Sequence, residues 1–206
     1  MKGSKFNTER LCKQISGQQI NFKSVFWDNG EKKRYFMMQN KHAPTEISPF
    51  DESYFRKALS QFATGVTVIT ARIADGHYIG LTASSFNSVS LAPPLVLWSL
   101  GSRANSMPVF ASCSHYAINV LSAGQEWIAQ QFASKRDNRF EGIGFSLSPN
   151  GLPVLDGAAA WFECKNRSQY PEGDHVIFVG EVTHCFADPK DAMVYHSGQF
   201  IQASQA

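Results

Sequence analysis

The chain lacks most of the features that would announce a metal, a membrane or a nucleotide-binding loop. Only four cysteines occur in 206 residues, Cys12, Cys113, Cys164 and Cys185. They are widely spaced, with no C-x-x-C pair and no histidine at zinc-ligand spacing, so they read as reduced thiols and no metal site is expected. His184 and Cys185 are adjacent, but neighbours on a strand point to opposite faces and do not close on one ion. No apolar run is long enough to span a bilayer, and Met1 to Arg10 lack the apolar stretch of a secretion signal. The expectation is a soluble, cytoplasmic protein. Charge is modest too, at 17% Asp, Glu, Lys and Arg. Residues 1–47 hold nine Lys/Arg against four Asp/Glu, or +5, and residues 48–206 hold ten against thirteen, or −3. A mildly acidic body has no positive face for phosphates, which argues against nucleic acid as the main partner.

Three catalytic signatures are missing as well. Without G-x-S-x-G there is no nucleophile elbow, and no serine can be placed beside His175 as a hydrolytic partner. G-x-x-x-x-G-K-[ST] and G-x-G-x-x-G are absent, and the strand-rich pattern offers no βαβ unit to carry them. A nicotinamide would have to bind outside a Rossmann domain.

What is present reads as a basic extension, 1–47, followed by one domain, 48–206. The extension has no sustained period, although Val25 to Phe36 around Asn29-Gly30 has the signature of a small hairpin. Two readings of it stay open: a flexible natural extension, or an artefact upstream of a start at Met37 or Met38. The second is prompted by Lys33-Arg34, whose codons can form a purine-rich ribosome-binding site. Ser48-Pro49-Phe50-Asp51 then predicts a helix N-terminus, with Phe50, Tyr54, Phe55, Ala58, Leu59 and Phe62 on one core-facing side and Gly65 as its end.

From Val66 the period becomes two. Val66 to Thr70 and His77 to Ser84 flank Asp75-Gly76 as a hairpin, and Leu95 to Leu100 forms a buried strand behind Ala92-Pro93-Pro94. A short helix is expected near Met107 to Ser112, a strand from His115 to Leu121, and a capped helix after Ser122-Ala123-Gly124-Gln125. Ser134 to Pro153 reads as a loop or short helix. Ala158 to Arg167 and His175 to Phe186 form a long hairpin across Tyr170 to Asp174, and Val194 to Phe200 a short terminal element. Six or seven strands with two or three helices suit a mainly β, closed antiparallel barrel.

Two stretches carry candidate chemistry. Thr82, Ala83, Ser84 and Ser85 put three hydroxyls at a strand end, where Gly80 and Ala83 leave room; with the loop from Ser99 to Ser106 they can donate to a phosphate or to the polar edge of a flavin. A solvated polar edge strand is the competing reading. His175, behind the permissive Gly173, is placed to hold a nicotinamide carboxamide, with Asp174 fixing the loop or the tautomer; a packed or surface histidine is the plainer reading. Among Trp98, Trp127, Trp161, Phe140 and Tyr195, most are expected in the core and one or two beside a ligand.

Phe62-Ala63-Thr64-Gly65-Val66-Thr67-Val68-Ile69-Thr70, Gly80-Leu81-Thr82-Ala83-Ser84-Ser85-Phe86, Pro93-Pro94-Leu95, Asn119-Val120-Leu121, Gly173-Asp174-His175 and Gly180-Glu181-Val182 occur in this order. As a set they resemble the short-chain flavin reductases of two-component monooxygenases, over about Phe50 to Phe200. The resemblance implies an FMN-binding split β-barrel, a homodimer with flavin in a groove near the subunit interface, and a separate oxygenase that receives the reduced flavin. It implies FMN or FAD as one cofactor and NADH or NADPH as the other. Thr82 to Ser85 would hold the ribityl and phosphate part, Ser99, Leu100 and Gly101 would line the ring with backbone groups, Ser102 and Ser106 would sit near the phosphate, and His175 would meet the nicotinamide without acting as an obligatory acid or base. Trp98-Ser99-Leu100-Gly101 departs from the family in lacking a charged residue after the strand. A non-catalytic flavin-binding or electron-carrier barrel is the alternative.

Overall fold

A computed structural model of the chain describes residues 50–73 and 75–202, and in the extension two strands. The chain divides into two compact units, Met1–Pro49 and Phe50–Ala206. In the first, β1 (Val25–Asp28) and β2 (Glu31–Arg34) pair antiparallel, Val25 opposite Arg34 and Asp28 opposite Glu31. The hairpin signalled by Asn29-Gly30 is therefore present. Met37, Met38, Ser48 and Pro49 lie outside the described residues.

The second unit opens with α1 (Glu52–Leu59), which starts later than the sequence predicts: Asp51 is the N-cap, its side chain accepting the Tyr54 N–H at 2.7 Å. The helix also ends earlier, and Gly65 falls in β3 (Thr64–Gly65). Its apolar face corrects a second expectation. None of its residues is buried, and Phe50, Tyr54, Leu59 and Phe62 are all more than half exposed. The helical period is real, but none of the described residues of this unit buries the face it creates.

The barrel elements follow in order: β4 (Thr67–Arg72), β5 (Tyr78–Ala83), β6 (Asn87–Leu91), β7 (Pro94–Gly101), α2 (Met107–Ser112), β8 (His115–Val120) and α3 (Glu126–Ala133). A small hairpin of β9 (Phe145–Leu147) and β10 (Pro153–Leu155) occupies the region expected to be loop or short helix. The long strands β11 (Ala160–Glu172) and β12 (His175–Ala187) come next, then β13 (Met193–His196) and β14 (Gln199–Gln202). The main sheet has seven antiparallel strands in the order β5-β4-β8-β11-β12-β7-β6.

Strand β4 is buried on both faces because two cores meet across it. Ile69 and Ala71 enter the barrel interior with Trp98, Phe110, Tyr116, Ile118, Cys164 and Phe178. Val66, Val68, Ile128, Phe132 and Leu155 fill the space beneath α3. Trp98 is fully buried, stacked on Phe178 at 4.6 Å and edge-on to Phe110 and Tyr116, so it is barrel core. Trp127, in contrast, is half exposed on α3. The box at Ser122 to Gln125 is half made: Gln125 Oε1 accepts the Ser122 N–H, while the Ser122 hydroxyl donates to the Gly157 carbonyl.

Candidate functional site

The strands at the two ends of the sheet order, β5 and β6, are consecutive in the chain and joined by Ser84, Ser85 and Phe86. Here the barrel is held by a side chain: Ser85 Oγ accepts the Ser99 N–H at 2.9 Å and donates to the Ser99 carbonyl at 3.2 Å. Pairing of β7 with β6 ends at Leu97 opposite Asn87, so from Ser99 onward this side of β7 has no ladder. Residues two apart on a strand present their N–H groups to the same side. Gly101 therefore turns its N–H toward the same seam as Ser99.

The opposite side of β7 brings in His175. It lies opposite Gly101 at the start of β12, and the Ser102 N–H and Oγ both donate to the Asp174 carbonyl, at 2.9 and 3.0 Å. The imidazole Nε2 lies 3.9 Å from the point that a Cβ on Gly101 would occupy, so only glycine leaves the strand end bare beneath the ring. His175 Nδ1 meets Asp174 Oδ1 at 2.7 Å. The Asp174 carboxyl is held below its ordinary value, first by that hydrogen bond, then by the charge of His175, with Arg103 adding more distantly.

Ser85, Ser99, Leu100, Gly101, Ser102 and His175 thus gather at one end of β7, with Ser84 exposed beside them. Leu100 and Ala83 point into the core and have only backbone to offer a ligand here. Thr82 is committed elsewhere, its hydroxyl donating to the Ala129 carbonyl of α3 at 2.6 Å. Ser106 is buried at the start of α2. The space expected beside Gly80 is also taken: a Cβ there would lie 2.6 Å from the Phe132 ring. Gly80 serves helix packing.

Sequence reasoning passed over one residue of this region and one buried acid well away from it. Arg103 is the one cation between Ser99 and Ser106, and that isolation among hydroxyls was the available signal. Glu163 was missed altogether. It is completely buried beyond the barrel wall, with Asn150 N–H and Nδ2, Thr183 Oγ1 and His184 Nδ1 around its carboxylate.

An exposed hydroxyl, a free strand-edge N–H, a guanidinium and a side-chain-free floor under an imidazole suit a flat, anionic heteroaromatic with a polar edge. They fit a flavin. An antiparallel barrel split along one seam, with such a cluster beside it, defines the flavin-reductase class of split barrels. Comparison with known proteins agrees, and the chain belongs to this family: the model of the "Flavin reductase like domain" matches residues 59–204. The FMN reductase (NADH) SmoA of Agrobacterium fabrum is 41% identical over 151 residues, 73% of this chain and 86% of that protein. The reductase component of the flavin-dependent trigonelline monooxygenase of Acinetobacter baylyi is 36% identical over 73% of this chain and 49% of its own length. Among solved structures, the Streptomyces globisporus NADH:FAD oxidoreductase SgcE6, in complex with NAD and FAD fragments, superposes with a TM-score of 0.73 at 36% identity, over 78% of this chain and 98% of that one.

Proposed function

We propose that residues 48–206 form an NAD(P)H:flavin oxidoreductase that reduces FMN or FAD and supplies it to a separate monooxygenase in the cytoplasm. The observation that carries this reading is the meeting of the seam, the Ser99 to Ser102 edge and His175 at one strand end. A bound flavin supplies the hydride-accepting ring and the nicotinamide supplies the hydride. The protein's task is to hold the two against each other and keep their geometry fixed. Gly101 offers its backbone N–H to the ring, and Ser99 holds Ser85 at the seam beside it. Ser84, Ser85, Ser102 and Arg103 face the ribityl and phosphate, Thr82 acts by holding α3 against β5, and Ser106 fixes the start of α2. His175 grips the nicotinamide carboxamide.

Assays crossing FMN and FAD with NADH and NADPH test the activity; tight flavin binding without nicotinamide oxidation would favour the carrier alternative. His175→Ala is expected to raise the nicotinamide KM about tenfold, the equivalent of roughly 1.4 kcal/mol of hydrogen bonding, with kcat and flavin affinity within about threefold. Complete loss of turnover in a folded, flavin-binding variant would contradict the assigned role.

The working form is a homodimer. Phe50, Tyr54, Phe55, Leu59 and Phe62, on and flanking α1, are all exposed, and such a cluster of large apolar side chains marks an interaction face. Tyr54→Glu with Leu59→Glu is expected to give a monomer by sedimentation, and a wild type that is already monomeric at micromolar concentration would remove this part of the reading.

A further inference from the structure

The contact between Asp174 and His175 is not explained by packing, because their side chains are 80% and 51% exposed. Yet both residues are held in place. Ser102 fixes the Asp174 backbone by two hydrogen bonds, and His175 is registered opposite Gly101. An ionised carboxylate only accepts, so the nitrogen bonded to it, Nδ1, must carry the hydrogen. In the neutral ring the other nitrogen then bears a lone pair. That nitrogen, Nε2, is the one lying beside Gly101, 3.9 Å from where a Cβ on that residue would stand. The hydrogen bond from His175 is the main influence that favours the ionised form of Asp174, Arg103 adds to it, and Arg56 of α1 lies within electrostatic range of the same carboxylate.

We propose that Asp174 is a positioning residue that makes His175 Nε2 a hydrogen-bond acceptor, so that the site selects a nicotinamide by the N–H2 of its carboxamide. The selection rests on the reductase reading; the tautomer does not. A site built to pair with a donor penalises an analogue lacking it, since its own polar atom is left unmatched. The structure therefore assigns Asp174 to discrimination between ring substituents, with no part in the hydride step.

Two measurements test this. Long-range 15N–1H correlation spectra of the ligand-free protein at about pH 8, well above an ordinary imidazole pKa of about 6.5, report the tautomer, with His175→Gln identifying the His175 signals. Wild type is expected to show hydrogen on Nδ1 and a bare Nε2, Asp174→Ala to lose that preference, and Asp174→Glu to restore part of it. Kinetically, the KM for the reduced 3-acetylpyridine dinucleotide, which keeps the carbonyl but lacks the N–H2, is expected to exceed that for NADH about tenfold in wild type. That ratio should fall below about threefold in Asp174→Ala, with kcat on NADH little changed. Hydrogen on Nε2 in wild type, or an unchanged analogue ratio in Asp174→Ala, would overturn the proposal. If wild type oxidises no NADH, the reductase reading fails and the selection role falls with it, whatever the tautomer.

Discussion

Glu163→Ala is expected to lower stability by about 2 kcal/mol, because it removes a buried carboxylate that gathers several hydrogen bonds, although most of its donors can turn to water. The carboxylate sits on β11 with no exposure and receives the Asn150 N–H at 3.0 Å, the Thr183 hydroxyl at 3.0 Å and His184 Nδ1 at 2.8 Å. Asn150 belongs to the turn between β9 and β10, so the same acid anchors that small hairpin to the barrel. Burial alone would push the Glu163 carboxyl up; hydrogen bonds from Ser148, from Asn150 through backbone and side chain, and from His184 outweigh it and bring the group down to about 2. A carboxyl lowered on folding stabilises the native state above its unfolded value, and that contribution is lost as pH falls through the folded one. Wild type should therefore lose this stabilisation between about pH 4.5 and about pH 2, the ordinary and folded values of the group. Urea midpoints measured across that range check both claims. Glu163→Gln, which cannot ionise, should show a shallower acid decline, and an equal slope would mean that another carboxylate governs acid unfolding.

Gly80→Val is the second large effect, expected at about 2–3 kcal/mol from overpacking. A Cβ at this position would lie 2.6 and 2.8 Å from two atoms of the Phe132 ring and 3.4 Å from the Ile69 carbonyl. Phe132 cannot retreat easily, since it is buried and edge-on to Phe140 at 5.0 Å. Arg139 adds a further constraint by donating to the Gly80 carbonyl at 2.9 Å. The substitution should push α3 away from β5 and stretch the Thr82 to Ala129 bond, lowering the thermal midpoint by several degrees. A midpoint within about 1 °C of wild type, for an effect that should exceed 2 °C per kcal/mol, would show that the helix yields without cost.

These two residues also mark where the sequence was readable. The Asp75-Gly76 turn and the existence of the long hairpin are local signals that matched the structure, but the loop expected from Tyr170 to Asp174 is strand as far as Glu172, with only Gly173 and Asp174 in the turn, and β4 is buried on both faces where alternation was expected. The helix α2, from Met107 to Ser112, matched closely. Local period could not say what a face packs against, which is why α1 was expected in a core and instead presents its aromatics to water. Nor could it separate a glycine that admits a ligand from one that admits a phenylalanine, and Gly80 is of the second kind. The β9 to β10 hairpin was illegible because its strands are three residues each, too short for alternation to register. It is fixed by distant groups, including Thr70 Oγ1 bonding Pro153 and Asn119 Oδ1 accepting the Leu155 N–H. At the site, hydroxyl content drew attention to the right neighbourhood, but Thr82 and Ser85 spend their hydroxyls on the protein itself.

The Ser85 bridge also bears on how the barrel can breathe. Everywhere else in the main sheet, separating two strands means breaking a run of backbone bonds. Along the seam, Ser85 contributes two bonds to Ser99, each worth about 1 kcal/mol net. Parting them would cost about 2 kcal/mol, which leaves a few per cent of molecules open at any moment. A ligand could thus reach the Ser99 to Gly101 edge by waiting for a populated excursion, with every ladder of the barrel intact.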